Sequence, residues 1–317
     1  MKNIEFNYVK EVALEKSFSK ASKKLGISQP ALSNYINKLE KQLGVLLFDR
    51  SISPIEITEF GQCYLDYAEE VLAATDKFES IKSDLMNLKA GNITVGSTSC
   101  FSTTFLPMII GEFHNRYKGI GIDIVEGKVS EIMERCFEGN IDMFFADYDI
   151  DSDLFAKEEL FTEQLLMAVP IDDPINEKLK EFVIPTEEIV AGNAKSPKYK
   201  SVDISVVKDK EFILLNEDQH IRRIVDKVFQ QAGINPNVTM EVPQTTTGLA
   251  FTVENVGISF VAESTIKFNN INKHPCYYKI GDSETTSRKM CIAYKMNKYI
   301  SKAHRQLIQI MKDNLQV

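Results

Sequence analysis

The chain has 317 residues, 44% of them hydrophobic, and a formal net charge of −8 at pH 7. That length exceeds one small domain and suits two or three units, each with apolar material enough for its own core. The acid excess excludes a protein that binds polyanions with its whole surface.

The first informative stretch runs from Lys16 to Arg50. Ser19 precedes Lys20–Leu25, a helical pattern of about one and a half turns that Gly26-Ile27 breaks. Ser28 can cap the next helix, and Pro30 stands in its first turn, where a missing N–H costs nothing. Leu32, Ile36, Leu39 and Leu43 then fall on one helical face. The opposite face carries Pro30, Asn34, Asn37 and Lys41, flanked by Ser33 and Lys38, with no carboxylate before Glu40. An ordinary amphipathic hairpin explains the inner stripe but not this short, amide-rich outer face. Two short helices, a glycine turn and such a face describe a helix-turn-helix, whose second helix enters the major groove.

Charge supports that reading. Residues 16–50 hold seven Lys or Arg against Glu40 and Asp49, a net +5. Residues 1–60 hold nine basic and seven acidic side chains, so +2 sits there and −8 − 2 = −10 in residues 61–317. Phosphate contacts, which dominate affinity for nucleic acid, should come from the basic island alone.

The run Ala21–Arg50, ASKKLGISQPALSNYINKLEKQLGVLLFDR, resembles the N-terminal domain of LysR-type transcriptional regulators. The resemblance rests on Phe18-Ser19, Ala21, Leu25, Ser28-Gln29-Pro30-Ala31-Leu32-Ser33, Ile36, Leu39-Glu40, Leu43-Gly44-Val45, Leu47-Phe48, Arg50 and Ile57-Thr58-Glu59-Phe60-Gly61. Asn34 stands where the family usually has Arg, and residues 51–57 lack the glycine and second Arg of a wing that enters the minor groove. The resemblance and the outer face together mark Ser28, Gln29, Pro30, Ser33, Asn34, Asn37, Lys38, Lys41 and Arg50 as DNA-binding. Gln29, Ser33 and Asn34 are expected at bases; Lys38, Lys41 and Arg50 are expected at phosphates.

A helix is predicted from a cap at Thr58 to about Leu88. Tyr64, Ala68, Val71, Thr75, Phe78, Ile81, Leu85 and Leu88 repeat at steps of three and four, a seam of coiled-coil period. Pairing with the same helix of a second chain is the favoured reading, and packing on the chain's own later domain the alternative. The resemblance also implies dimerisation here.

Lys89-Ala90-Gly91-Asn92 ends that helix. A strand at Ile93–Gly96, a helix about Thr103–Arg116, a strand at 120–124, a helix about Val129–Glu138 and a strand at Ile141–Phe145 follow, an order that argues a parallel sheet. A second round has strands at Gln164–Val169 and Phe212–Leu215, a helix about Ile221–Ala232, and a strand at Val238–Val242. A helix about Thr246–Glu254 and a strand at Gly257–Val261 complete it, before a strand at Lys289–Tyr294 and a helix about Ile300–Asn314. The fold class is thus α/β with an all-α winged helix-turn-helix domain at the N-terminus. The second part resembles the family's periplasmic-binding-protein-like, two-lobed effector domain, through the element order and Phe105-Leu106-Pro107, Glu138–Asp142 and Asn255–Ile258. The expected domains are 1–58 for DNA binding, 59–89 for the linker and 90–317 for the effector. Within the last, one lobe takes about 91–163 with 266–317 and the other about 164–265.

In open α/β sheets ligands bind beyond the carboxyl ends of strands, near helix starts. The first such strand runs into Ser97-Thr98-Ser99-Cys100-Phe101-Ser102-Thr103-Thr104, with six hydroxyls in eight residues. Pro243-Gln244-Thr245-Thr246-Thr247 occupies the same kind of place in the second half, and Gly127-Lys128 follows the second strand. Serines and threonines that merely cap helices would explain either hydroxyl loop alone; two at corresponding places indicate a cleft. The resemblance puts the effector at these loops. Ser99, Cys100, Ser102, Thr103, Lys128, Gln244 and Thr245 are the candidates, with Thr103 and Thr245 expected to face each other, and donor excess predicts a small anionic or polar effector.

Three sharper motifs fail. Asp147–Asp153 with Glu158 mimics a calcium loop but lacks its sixth-position glycine and follows a strand, so it reads as a solvated acidic loop. Cys100 at a helix start predicts some thiolate character, but no resolving cysteine lies nearby in the sequence. The histidines share no ligand spacing, and no nucleophile-elbow or phosphate-loop motif occurs. No metal, cofactor or catalytic residue is expected. Residues 1–7 lack the apolar core of a signal peptide, and no apolar run reaches the 18 residues of a membrane helix. Five scattered cysteines without a CxxC read as free thiols of a reducing cytosol.

The reading is a cytoplasmic LysR-type regulator, dimeric or tetrameric, on an inverted-repeat operator in double-stranded DNA. It is controlled by a small-molecule effector, with RNA polymerase as a further partner. The alternative is a solute-binding or catalytic α/β protein with an accessory helical domain; steep loss of DNA affinity with salt separates the two.

Overall fold

A computed structural model describes residues 4–85, 91–147, 149–269 and 271–315. The chain divides into two compact units, residues 1–86 and 87–317.

In the first unit, helices Ile4–Glu15, Phe18–Lys24 and Gln29–Leu43 close on a core of Val9, Val12, Ala21, Leu32, Ile36, Leu47 and Phe48. Full burial of Leu32 and Ile36 contributes roughly 1.5–3 kcal/mol each. The second helix starts earlier than the sequence suggested: Ser17, not Ser19, is the cap, its Oγ accepting from Lys20 N at 3.4 Å. Ser28 caps the third helix, and Gly44 ends it with φ 74°, a left-handed conformation that favours glycine. Phe48–Asp49 and Glu56–Ile57 pair antiparallel as a short wing. Thr58 Oγ1 then accepts from Gly61 N at 2.9 Å, capping the long helix Glu59–Leu85 as expected. A Cβ at Gly61 would lie 2.1 Å from the Leu47 carbonyl oxygen, so only glycine lets this helix pass the wing.

The predicted seam divides along that helix. Ala68 is buried, and Tyr64, like Tyr67 beside it, packs on Phe6 from the first helix. Further along, Phe78 is 64% exposed and Ile81 also lies open. The Leu85 side chain and Leu88 fall outside the described residues.

The second unit holds two lobes. In one, parallel strands Ile120–Glu126, Gly91–Ser97 and Met143–Asp147 lie side by side, followed by the antiparallel Ser287–Lys295. Helices Leu106–Arg116 and Lys302–Asn314 cover one face and Val129–Phe137 the other, around Val95, Phe105, Phe145, Ile292 and Leu307 on one side and Ile132, Phe144 and Ala293 on the other. In the other lobe, Glu211–Leu215 and Asn237–Val242 pair in parallel and join Ser259–Ala262 through a Phe212–Ile258 bridge, with helix His220–Gln231 packed on them.

One strand, Phe155–Val169, belongs to both lobes. Its first ten residues pair with Ser287–Lys295, and its last five with Ser259–Ala262 and Cys276–Ile280. The sequence reading began it only at Gln164, and it missed the strand Cys276–Ile280 and the short elements between Pro170 and Lys210. The helix expected over Thr103–Arg116 is two, Ser99–Thr104 and Leu106–Arg116, broken at Phe105 with Pro107 in the first turn of the second.

Asp142 pins the edge of the first lobe. It accepts from Thr94 N at 2.7 Å and Lys298 Nζ at 2.6 Å, with His304 Nε2 at 3.8 Å. Burial alone would make the carboxyl a weaker acid, but His304, Lys298 and the Thr94 N–H outweigh burial and hold it well below the usual carboxylate range. A lowered folded-state pKa contributes stability above the unfolded value, about 4, and loses it as pH falls. Asp142→Asn should therefore destabilise the protein by about 1–3 kcal/mol at pH 7. In denaturant titrations the gap to wild type should shrink below about pH 4.

Candidate nucleic-acid interface and interlobe cleft

The recognition helix presents what its sequence suggested. Ser28, Gln29, Pro30, Asn34, Asn37, Lys38 and Lys41 are exposed, and Ser33 is half-buried. Ser28 Oγ is engaged, accepting from Ala31 N at 3.3 Å. The helix's one carboxylate does not face outward. Glu40 is 5% exposed. Its Oε1 accepts from Leu47 N at 2.8 Å and Phe48 N at 3.2 Å, and its Oε2 from Arg50 Nη2 at 2.6 Å. The outer face is therefore neutral or cationic throughout, the polarity a phosphate backbone favours.

Arg50 has a second task that the sequence did not reveal. Besides Glu40 it donates to Asn37 Oδ1, and its guanidinium lies 4.8 Å from the centre of the Phe18 ring. Two of its five donors are thus committed to holding the wing against the recognition helix. Lys24, from the same basic island, is bound to Glu11 and Glu15 at 2.8 and 2.9 Å.

In the second unit the hydroxyl loops meet, through different residues than expected. Thr245, 7% exposed, touches Cys100, with Sγ and Oγ1 3.6 Å apart. Thr103 does not face Thr245: it is exposed, and its hydroxyl donates back to the Ser99 and Cys100 carbonyls at 2.9 and 3.1 Å. Ser99 Oγ donates to Glu126 Oε2 at 2.9 Å, and Lys128 Nζ reaches Asp218 Oδ2 across the lobes at 3.2 Å. Gln244 is half-buried at the cap position of helix Thr245–Val253, without a side-chain cap bond. Ser102 Oγ is buried with no hydrogen-bond partner. The expected thiolate at Cys100 is corrected. Burial pushes the thiol up, beyond what Thr245 and Arg288 restore, and its helix has only six residues.

Beside these loops lies a charged cluster that sequence reasoning missed. Arg288 Nε donates to Glu163 Oε1 at 2.6 Å, and its Nη1 stands 3.7 Å from Asp147 Oδ1. His220 Nδ1 meets the same Asp147 oxygen at 2.7 Å. The second Glu163 oxygen accepts from Ser264 N at 3.1 Å, while Glu263 accepts from Gln164 N at 3.3 Å. Burial pushes the Glu263 carboxyl up, with the Gln164 N–H only partly offsetting it. Asp147 is thus not part of a solvated acidic loop. A residue at the carboxyl end of a parallel strand, and a histidine opening a helix, were the available signals. Among the described residues no group of three or more His, Cys, Asp or Glu could hold a metal ion.

A helix-turn-helix unit with a carboxylate-free outer face, joined to a two-lobed α/β domain, defines a regulator that binds DNA and a small molecule. Residues 87–316 match the family described as the LysR substrate binding domain, and residues 5–62 the bacterial regulatory helix-turn-helix protein, lysR family. The chain belongs to the LysR family and is a LysR-type transcriptional regulator, with a DNA-binding and an effector-binding domain. It is 27% identical over 260 residues to the HTH-type transcriptional regulator YybE of Bacillus subtilis, covering 82% of each chain. Its fold is similar to full-length OxyR of Pseudomonas aeruginosa, with a TM-score of 0.65, 22% identity, and 98% of this chain and 92% of that one covered. It is also similar to full-length CbnR in complex with its target DNA, with a TM-score of 0.57, 18% identity and 99% of each chain covered. No helix of the described residues is long and apolar enough to cross a membrane.

The double role of Arg50 gives a clear expectation. Arg50→Ala should lower the stability of the N-terminal unit by about 1–3 kcal/mol, because Glu40 stays buried without its cation. Lys41→Ala should leave thermal melting unchanged. Calorimetry on the two variants checks this.

Proposed function

We propose that the protein reads an inverted-repeat operator as a dimer, or a dimer of dimers, in the cytosol. Gln29, Ser33 and Asn34 meet base edges, while Lys38, Lys41 and the remaining donors of Arg50 meet phosphates, with Ser28, Pro30 and Asn37 lining the contact. The observation that carries this reading is the burial of Glu40, which leaves residues 28–41 without an outward carboxylate. The likeness to CbnR on its target DNA supports the same use of the helix. Residues 1–58 act as the reading head, 59–89 as the linker and 90–317 as the effector domain. At a promoter RNA polymerase is a further partner, and the protein's part is binding rather than catalysis.

The effector is a small anionic or polar molecule held where the lobes meet. The buried Ser102 hydroxyl, Thr245, Cys100 and the Arg288 guanidinium support this, with Ser99, Lys128 and Gln244 at the margin. The Thr103 hydroxyl is committed to its own helix, so Thr245 carries more of the binding. A ligand that touches both lobes shifts the regulator only by its unequal affinity for two lobe spacings.

Asparagine can bridge adenine N6 and N7, so Asn34→Ala should relax the preference at one base pair by about 1–3 kcal/mol. Lys41→Ala should weaken all sequences alike. Binding measured on a library of operator variants distinguishes the two, and an unchanged profile for Asn34→Ala would remove Asn34 as a reader.

The exposed Phe78 and the half-buried Val71 support the linker helix as the seam between two chains. Val71→Lys with Phe78→Lys would bury unpaired charge in such a seam. The double variant should sediment as a smaller species than wild type; unchanged sedimentation would place the seam elsewhere.

A further inference from the structure

The outer face of the recognition helix carries two asparagines. Asn34 and Asn37 are both exposed and lie about one turn apart, on the strip that also holds Pro30, Ser33 and Lys41. By residue type they are equivalent; by environment they are not. Among the described residues neither amide atom of Asn34 has a partner. The Asn37 amide is held, because its Oδ1 accepts from Arg50 Nη1.

Arg50 keeps its place without help from Asn37. Its Nη2 donates to the buried Glu40 carboxylate at 2.6 Å, and its guanidinium lies 4.8 Å from the centre of the Phe18 ring. Glu40 in turn is fixed by the Leu47 and Phe48 N–H groups. A guanidinium has donors only, so an amide that meets it must turn its oxygen towards it. Turning the Asn37 amide over would set two N–H groups against a cation. The Asn37 Nδ2, with two donors and no acceptor among the described residues, is therefore what the helix presents to DNA. We propose that Arg50 orients Asn37 as a donor-only reader of the major groove, which favours a keto base, guanine or thymine, over adenine and cytosine. The proposal rests on the DNA-reading role of residues 28–41.

The base edges give the preference. Guanine offers two acceptors side by side, O6 and N7, and thymine offers O4. Cytosine presents its N4 donors, and adenine sets its N6 donors beside N7. Reading adenine through both atoms needs a side chain with a free acceptor and a free donor. Asn34 has both, and Asn37 has lost its acceptor to Arg50. One residue type thus carries two different codes on one helix face. Arg50 acts as a positioning residue, through Asn37 rather than by touching the base.

Selection from a randomised duplex library by the full-length protein, read by sequencing and repeated with variants, tests this. Asn37→Ala should reduce the excess of guanine or thymine at one position by about 5- to 10-fold and leave the other positions unchanged. Asn37 is exposed, so this variant keeps the fold and decides by itself whether a keto base is read. Arg50→Met combined with Glu40→Gln frees the Asn37 oxygen without leaving a carboxylate buried and unpaired. At the same position adenine should then rise about 5- to 10-fold relative to the keto base. A general loss of affinity or of fold weakens all sequences alike and does not move that ratio. The proposal is overturned if Asn37→Ala weakens all sequences alike, since the amide would then meet a phosphate. It is also overturned if the preference lost is for adenine or cytosine, or if the folded double variant keeps the wild-type ratio. Asn34→Ala and Lys41→Ala on the same library separate this failure from a wider one. If Asn34→Ala relaxes one position and Lys41→Ala weakens every sequence, residues 28–41 still read DNA; a wild-type protein that enriches no sequence removes both readings.

Discussion

A carboxylate leaves water at a tolerable cost only when donors converge on it. Glu40 meets that condition through two consecutive backbone N–H groups and one guanidinium. The geometry of the N-terminal unit follows from this convergence. The N–H groups belong to Leu47 and Phe48, which begin the wing, so the wing's position is fixed from the recognition helix itself. Arg50, drawn in by Glu40, also covers Phe18 on the preceding helix. Three elements are thereby tied to one side chain, and the face left to the solvent is cleared of negative charge. A protein of net charge −8 can then approach a polyanion through one small surface.

The effector domain is organised by a different constraint. Phe155–Val169 runs without interruption through both lobes, and the chain's second passage between them lies directly alongside, where Leu165 N donates to Thr286 O at 2.8 Å. The lobes are therefore joined by hydrogen-bonded strands rather than by loose linkers, with Gln164 and Thr286 side by side at the crossing. Glu163 and Arg288 flank that point, with Asp147 beside them. Charges at the crossing respond to small changes in lobe spacing, because a charge-assisted bond weakens steeply once its geometry departs from the ideal.

Much of this was legible in the sequence, and the omissions have physical causes. The caps at Ser28 and Thr58 and the stripe through Leu32 and Ile36 are local signals, and local signals located the reading helix. The alternation of β and α elements revealed the doubly layered domain. Strand residues 155–164 were missed because Lys157, Glu158, Glu159 and Glu163 break the apolar pattern. The carboxylates of Glu159, Glu158 and Glu163 are balanced by Lys289, Lys312 and Arg288, which lie 130, 154 and 125 residues away. Arg50 looked like a simple phosphate contact because its partner Glu40 lies on another element. Thr103 looked like a ligand donor because a hydroxyl that turns back on its own helix cannot be told in sequence from one that faces a cleft. The Asp147–His220–Arg288 cluster is assembled from three elements far apart in the chain, so no spacing rule could announce it.

The proposed interface places DNA affinity in the small basic face cleared by burying Glu40. Equilibrium binding to an operator-length duplex, measured from 50 to 300 mM salt, tests it most directly. On a plot of the logarithm of the association constant against the logarithm of salt, affinity should fall linearly. The slope should reflect only a handful of phosphate contacts per protomer, about −0.9 for each contact. Affinity that is indifferent to salt would contradict the account, since no binding through a cationic face behaves in that way.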